Sequence, residues 1–369
     1  SPPTGFLALC TGNMSVSDDI DPGGDDGEDE NPTKQFGMGL YTGQSGGGNS
    51  VVCGFQPDLI WGKMRSGSQT GIIIDSSRGQ EILFTAENYA AQTSNGPFIS
   101  SYNTDGFTFG SSGSNPNDNA KTYVAWCWRA NGGTTSSNSD GSITSTVQAN
   151  TKAGFSICTY TGNGSNGATF GHGLSAKPSF VIIKNRGSAQ KWAVWHQSAG
   201  MTDYKLLFLN ESSALTTEGT QRWDVSAISN SVFGLGSHNE INGSSETYVS
   251  YIWHDVEGYS KFGTYEGNGS TDGTFVYTGF RPRMVFLKQI DGAAEWTVFD
   301  TARETHNQME DLLQWDLSNA ETQLTNDKID FLSNGFKLRG AGGGRTNQSS
   351  RTFIYGAWGD VPFKYNNTF

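Results

Sequence analysis

The sequence predicts an all-β protein of tandem β-sandwich repeats, jelly-roll or concanavalin-like, in three copies and with little helix. Glycine is abundant, at 49 of 369 residues, whereas charged residues make up 16% and aromatic residues 12%. Short alternating apolar runs are separated by Gly, Asn and Ser turns, which is typical of short strands. The same order of sequence landmarks also occurs three times along the chain.

Composition excludes several classes of protein. The sequence has no sustained helical periodicity, no heptads and no run of about 18 apolar residues, so it predicts neither a coiled coil nor a membrane-spanning helix. No basic region followed by an apolar stretch opens the chain, so no Sec signal is visible. No basic stripe is present that would follow a phosphate backbone, so we expect no nucleic-acid partner.

Residues 1–34 are predicted to be the end of an upstream β domain followed by an acidic linker. Phe6 begins a short apolar run that suits one strand. Between Asp18 and Glu30, eight acidic residues occur without a Lys or Arg and account for most of the net charge of −12. A solvated acidic loop is the simpler interpretation of this stretch. A Ca²⁺ site in residues 17–31 is the alternative, although the spacing does not fit the EF-hand pattern.

The first copy is assigned to residues 35–130, the second to residues 154–258 and the third to residues 259–369. Each copy begins near a Tyr-x-Gly segment and closes on a strand that ends in Trp, and the Tyr and Trp lie about 90 residues apart, the size of a whole β domain. The pairs are Tyr41 with Trp128, Tyr160 with Trp253, and Tyr265 with Trp358. The closing-strand Trp and Tyr residues are predicted to lie in the core.

Two further segments have different patterns. Residues 131–153 are predicted to be a flexible Gly/Ser/Thr connector between the first two copies, with one possible strand in the alternating stretch 142–148. Residues 303–316 have some helical character, through Met309, Leu312, Leu313 and Leu317, and are predicted to form a short helix or a loop.

The cysteines form no C-x-x-C pair and do not recur at one position of the copies. A disulfide framework would be denser in a secreted chain of this kind. We therefore interpret them as buried free thiols of a protein made in a reducing cytoplasm. They are Cys10, Cys53, Cys127 and Cys158.

The landmarks resemble a repeat in structural and tail-fibre proteins of marine tailed phages, especially phages of cyanobacteria and of abundant marine heterotrophs. The segments that carry the resemblance are Thr159-Tyr160-Thr-Gly162-Asn-Gly164, Val181-Ile-Ile-Lys184-Asn-Arg186, Trp192-Ala-Val-Trp195-His196, Lys261-Phe-Gly-Thr-Tyr265-Glu-Gly267 and Phe275-Val-Tyr277-Thr-Gly279. The opening stretch, residues 2–11, looks like the last strand of a SPRY-like β-sandwich, which implies that the full protein has a further N-terminal part.

The resemblance implies a virion appendage or surface protein, made in the host cytoplasm and assembled into the extracellular virion. Its implied partners are other copies of the same chain in a homotrimer, other virion or tail proteins, and a host surface polysaccharide or lipopolysaccharide. The family has no catalytic motif to transfer to this sequence, and no cofactor is implied.

A carbohydrate ligand would stack its apolar faces on aromatic rings, while polar side chains in loops would bind its hydroxyl groups. A core position is the alternative for each Trp in this set. The candidate ligand-binding residues are Trp192, Trp223, Trp296, Trp315, Asn268, Asp272 and Arg345.

Catalytic and metal sites are not expected. The sequence contains no G-x-S-x-G, H-E-x-x-H or P-loop motif. Asp75 and Asp300 each precede an Arg by three residues, and such a pair is more simply a structural salt bridge than part of a glycosidase carboxylate pair. The histidines of the second copy match no zinc spacing, so isolated hydrogen-bonded side chains are the simpler interpretation.

The function predicted from these observations is adhesion of a phage tail fibre or surface fibre to a host cell-surface glycan. One alternative is a structural virion protein that binds no ligand, either decorating the capsid or forming a fibre shaft. A second alternative is a polysaccharide depolymerase.

Overall fold

A computed structural model describes residues 32–93, 96–111, 116–341 and 343–359. These residues form 27 strands and two short 3-10 helices, Pro32–Lys34 and Val225–Ala227. The predicted all-β class is therefore confirmed, and no helix in the described ranges is long and apolar enough to cross a membrane.

The strands fall into three consecutive units. The first unit contains β1 (Phe36–Thr42), β2 (Ser50–Val52), β3 (Leu59–Met64), β4 (Ile72–Asp75), β5 (Leu83–Phe84), β6 (Ile99–Asn103), β7 (Gly106–Phe109) and β8 (Thr122–Trp128). The second unit contains β9 (Ser136–Asn138), β10 (Ser145–Asn150), β11 (Phe155–Thr161), β12 (Ala168–Gly171), β13 (Phe180–Asn185), β14 (Ala193–His196), β15 (Lys205–Phe208), β16 (Thr216–Thr217), β17 (Val232–Leu235) and β18 (Thr247–Trp253). The third unit contains β19 (Ser260–Glu266), β20 (Phe275–Tyr277), β21 (Pro282–Gln289), β22 (Thr297–Asp300), β23 (Asp311–Gln314), β24 (Thr322–Gln323), β25 (Ile329–Leu332), β26 (Gly335–Leu338) and β27 (Thr352–Gly359).

Each unit has a large sheet and a small sheet. The large sheets run β1-β8-β3-β4-β5, β9-β10-β11-β18-β13-β14-β15-β16 and β19-β27-β21-β22-β23-β24. The small sheets are β2-β7-β6, β12-β17 and β20-β26-β25. The closing strand of each unit therefore lies between corresponding neighbours in its large sheet. This shared order supports the interpretation of three copies, which remains a proposal.

Two kinds of core follow from the two faces of each large sheet. Alternate residues of a strand point to opposite faces. On β8, Ala125 and Cys127 join a cluster between the large and small sheets of the first unit, and we call such a cluster the outer core of its unit. Trp126 and Trp128 join a central cluster to which all three units contribute. Each unit is thus a sandwich on its outer side, and the inner faces of the three large sheets share one core.

The closing tryptophans meet in this central core. The ring centroids of Trp128 and Trp253 are 5.7 Å apart, those of Trp128 and Trp358 are 5.4 Å apart, and those of Trp253 and Trp358 are 6.0 Å apart. The interplanar angles lie between 67° and 74°, the edge-to-face arrangement that aromatic pairs favour. All three rings are buried, so the predicted core position of the closing tryptophans is confirmed.

Three buried lysines join the units in a ring. They occupy corresponding places on β3, β13 and β21, and each donates from Nζ to a backbone carbonyl of the neighbouring unit. These bonds run from Lys63 to Asn319 O (2.8 Å), from Lys184 to Asn88 O (3.4 Å) and from Lys288 to Ser212 O (3.2 Å). Burial lowers the pKa of each lysine to about 8. The first unit thus contacts the third, the second contacts the first, and the third contacts the second.

The prediction of a helix or loop over 303–316 is wrong in one part, because β23 (Asp311–Gln314) is a strand that pairs with β22. Leu312 packs in the outer core of the third unit, whereas Leu313 packs in the central core. Adjacent leucines that enter opposite cores require the two-residue period of a strand.

The connector of residues 131–153 supplies β9 and β10, which extend the large sheet of the second unit alongside β11.

The cysteines that the structure describes agree with the prediction. Cys53, Cys127 and Cys158 are buried free thiols. Burial raises the pKa of Cys158 to about 12. Cys10, the apolar run at Phe6 and the acidic stretch considered for Ca²⁺ lie outside the described residues.

Candidate functional site

The four tryptophans predicted to bind sugar are 0–1% exposed, so the structure contradicts that assignment. Trp192 Nε1 donates to Phe84 O of the first unit at 3.1 Å, and Trp296 Nε1 donates to Phe208 O of the second unit at 2.9 Å. These two rings fill the contacts between neighbouring units. They lie in the core because a neighbouring unit of the chain covers each ring.

The other two tryptophans are also buried, one against another unit and one within its own unit. Trp315 stacks on Trp61 of the first unit with ring centroids 4.1 Å apart. Trp223 Nε1 donates to Lys205 O at 2.8 Å within the second unit. A saccharide has no access to either ring in this structure.

The two Asp–Arg pairs are structural, as the sequence predicts. Arg78 and Arg303 each donate from Nε to the Oδ2 of Asp75 and Asp300, respectively, at 2.5 Å, and all four side chains are fully buried. Each carboxylate also accepts a hydrogen bond from another unit, from Tyr251 Oη at 2.6 Å for Asp75 and from Trp126 Nε1 at 2.9 Å for Asp300. These carboxylates therefore hold neighbouring units together and are not accessible to a substrate.

Two histidines of the second unit, His172 and His196, make isolated contacts with backbone carbonyls. His196 Nε2 lies 3.1 Å from Tyr355 O of the third unit, and His172 Nε2 lies 3.3 Å from Ser229 O. Burial lowers the pKa of both histidines to about 4, so they are neutral at pH 7. Within the described ranges, no three His, Cys, Asp or Glu residues are grouped so that they would hold a metal ion.

Two of the three predicted polar ligand-binding residues take part in local structure. Asn268 Oδ1 accepts hydrogen bonds from Ser270 N at 3.0 Å and from Asn347 Nδ2 at 3.1 Å, which shape the loop after β19. Arg345 Nε pairs with Glu295 Oε2 at 2.9 Å. Asp272 differs, because its side chain is 81% exposed.

Asp272 lies beside two aromatic side chains that the site prediction missed. Phe275 and Tyr277 on β20 are 45% and 66% exposed, whereas Val276 between them is buried in the outer core. Both rings therefore lie on the outer face of the small sheet, and we call them the aromatic strip. The alternation Phe275-Val276-Tyr277 indicated two faces, but it did not indicate that the aromatic face is the uncovered one.

Two glycines lie close to these rings. A Cβ atom at Gly335, which pairs with Tyr277, would lie 2.1 Å from Val276 O and 3.2 Å from Cε2 of Phe275. A Cβ atom at Gly279 would lie 3.6 Å from the Tyr277 hydroxyl. The rings thus lie close to the backbone at these positions and leave their outer surfaces to solvent.

Four charged side chains border the strip, and we call them the charged rim. Lys337, the β-sheet partner of Phe275, has its Nζ 2.5 Å from Asp272 Oδ1. Arg339 has its Nη1 3.8 Å from the same oxygen and its Nε 2.5 Å from Asp330 Oδ2. The hydrogen bond from Lys337 lowers the pKa of Asp272.

The small sheets of the other two units lack such a strip. The first unit carries Ser50 and Val52 on β2, where Val52 pairs with Gly106 as Tyr277 pairs with Gly335. The second unit carries Thr169 and Gly171 on β12. Among the three small sheets, exposed aromatic rings and paired charges therefore occur together in the third unit.

Residues 31–362 match the family described as Domain of unknown function (DUF7483), and the chain belongs to that family. The match spans all three units. In the same comparisons, no curated protein and no solved structure matches the chain significantly.

Proposed function

We propose that this member of the DUF7483 family is a glycan-binding protein of a phage virion appendage and that the aromatic strip is its binding surface. The observation that carries the binding proposal is the exposure of Phe275 and Tyr277 on the small sheet of the third unit. Exposed aromatic rings offer apolar faces to sugar rings, and nearby polar groups orient the hydroxyl groups. The virion assignment is supported by the resemblance of the sequence landmarks to phage tail-fibre repeats.

The geometry of a strand suits an extended ligand. Phe275 and Tyr277 are two residues apart on β20, so their Cα atoms are separated by about 7 Å along the strand. An extended saccharide lying along β20 would therefore contact both rings. Because the strip occurs in one unit of three, multivalent binding would come from several chains, such as the three of a homotrimer.

The structural alternative is supported by the shared central core. Three units that meet in one core form a rigid body, which suits a fibre shaft or a capsid-decorating protein. In that case the aromatic strip would be covered by another virion protein. The depolymerase alternative loses its candidate carboxylates, because Asp75 and Asp300 are buried in ion pairs.

The test is adsorption of the fluorescently labelled protein to a panel of host cells, with and without competing host polysaccharide. We expect saturable binding that the polysaccharide abolishes. The double variant Phe275→Ser, Tyr277→Ser should lose about ten-fold or more in affinity, or at least ~1.4 kcal/mol. Val52→Ser removes an exposed apolar side chain at the corresponding place of the first unit and is the matched control, which should bind normally.

Two outcomes would overturn the proposal. One is binding that the double variant retains in full, which would place the ligand elsewhere. The other is failure of the folded wild-type protein to bind any cell type, which would favour the structural role. Circular dichroism and thermal unfolding of each variant would show that a loss of binding is not a loss of folding.

A further inference from the structure

The charged rim indicates which class of glycan the aromatic strip would bind. We propose that the aromatic strip binds a carboxylate-bearing polysaccharide and that Asp272 takes the place of the ligand carboxylate in the free protein. This inference rests on the proposed glycan-binding function and adds to it the chemistry of the sugar.

The two cations are arranged to share one anion. Lys337 and Arg339 are two residues apart at the end of β26, so they lie on the same face of the small sheet as Phe275. The oxygen Oδ1 of Asp272 is 2.5 Å from Lys337 Nζ and 3.8 Å from Arg339 Nη1. A carboxylate on a sugar stacked against Phe275 would meet the same two groups.

Asp272 is the member of the charged rim that a ligand can displace most easily. The Asp272 side chain is 81% exposed on its loop, whereas the side chains of Lys337 and Arg339 are 25% and 29% exposed. Asp330, whose side chain is 8% exposed, accepts from Nε of Arg339. This contact leaves Nη1 of Arg339 on the side of Asp272. Exposed ion pairs contribute little to stability, so a ligand carboxylate can replace Asp272 at small cost.

For an anionic ligand at the aromatic strip, the charges of the rim matter more than the net charge of the whole chain. The chain carries −12 overall, which would repel an anionic polymer at long range. At physiological ionic strength, however, charges beyond about 8 Å are largely screened. The rim is neutral while Asp272 is in place and carries one net positive charge once Asp272 moves aside. Lys328, the next basic group on this sheet, is paired with Glu310.

The test compares carboxylated polysaccharides with their carboxyl-reduced, neutral forms. Polygalacturonate, alginate and hyaluronate would serve as probes, with dextran sulfate and dextran as controls for binding by charge alone. Titrations would use the wild-type protein and the variants Asp272→Asn, Lys337→Gln and Tyr277→Ser. Each titration would be repeated at high salt.

We expect at least one carboxylated polymer to bind about ten-fold more tightly than its reduced form. Asp272→Asn should raise affinity for that polymer about three- to ten-fold without changing affinity for the neutral form, because it removes the negative charge that Lys337 and Nη1 of Arg339 share. Lys337→Gln should lower affinity for the carboxylated polymer, and high salt should reduce the difference between the two forms.

Three results would overturn the inference and can be told apart from failure of the proposed function. Equal binding of carboxylated and reduced polymers, with a loss in Tyr277→Ser, would refute the acidic ligand and keep the glycan site. No gain in Asp272→Asn would likewise refute the stand-in role of Asp272. If dextran sulfate binds as tightly as the carboxylated polymer and Tyr277→Ser keeps this binding, the attraction is one of charge alone. If the protein binds no glycan and no host cell, the proposed function itself is refuted.

Discussion

Replacing Asp316 by Asn is expected to stabilise the fold at neutral and alkaline pH. Asp316 is buried next to β23, and its Oδ1 accepts a hydrogen bond from Trp296 N at 3.0 Å. Its other oxygen has no hydrogen-bond partner among the described residues. Asn210 in the second unit makes the same bond, because its Oδ1 accepts from Trp192 N at 3.0 Å. The chain therefore already uses an amide at the corresponding position.

The magnitude follows from the ionisation of the buried carboxyl. Burial raises the pKa of Asp316 to about 7 from the ordinary 3.8, and the hydrogen bond from Trp296 N and the charge of Lys288 offset only part of this effect. The difference corresponds to about 4 kcal/mol once both the folded and unfolded states are ionised. Because the folded-state pKa is the higher one, the folded protein holds this proton more tightly than the unfolded chain. Stability of the wild type is therefore lost as pH rises from about 4 to about 7.

The assay is denaturant unfolding of both proteins between pH 4 and pH 8. The free energies of unfolding should agree near pH 4, and Asp316→Asn should become more stable by a few kcal/mol towards pH 8. The converse variant, Asn210→Asp, places a carboxyl at the corresponding site and should lose stability over the same range. A difference between Asp316→Asn and wild type that is constant with pH, or a variant that is less stable at pH 8, would refute the reasoning.

Two further predictions concern the contacts between units. Trp253→Ala should lower the free energy of unfolding by about 3–5 kcal/mol. Calorimetry should show one unfolding transition, because all three units share the central core. Separate transitions would contradict a shared core. Asp300→Asn should cost about 1–3 kcal/mol because Nε of the buried Arg303 loses its charged partner and Glu321 remains as the acidic side chain paired with this cation. Asp272→Asn, which breaks an exposed pair, should leave the denaturation midpoint unchanged. Equal effects of these two Asp→Asn variants would show that the burial of Asp300 is not what makes its ion pair important.

Much of the local structure could be predicted from the sequence, because it depends on neighbours along the chain. Alternating apolar residues and Gly-rich turns indicated short strands. Trp128, Trp253 and Trp358 were recognisable as core residues because they end equivalent apolar runs. The matched spacing of Asp75 to Arg78 and of Asp300 to Arg303 indicated two structural ion pairs, which the structure confirms.

The candidate site could not be found in the same way. Trp192 and Trp296 stand in polar segments like those of a binding loop, yet the neighbouring unit covers them. Phe275 and Tyr277 have the alternation of a buried strand, yet no other described part of the chain covers their rings. The sequence by itself determined that these strands have two different faces, since side chains alternate with a period of two. Only the tertiary structure decided which face is covered, because the segments that cover it come from distant parts of the chain.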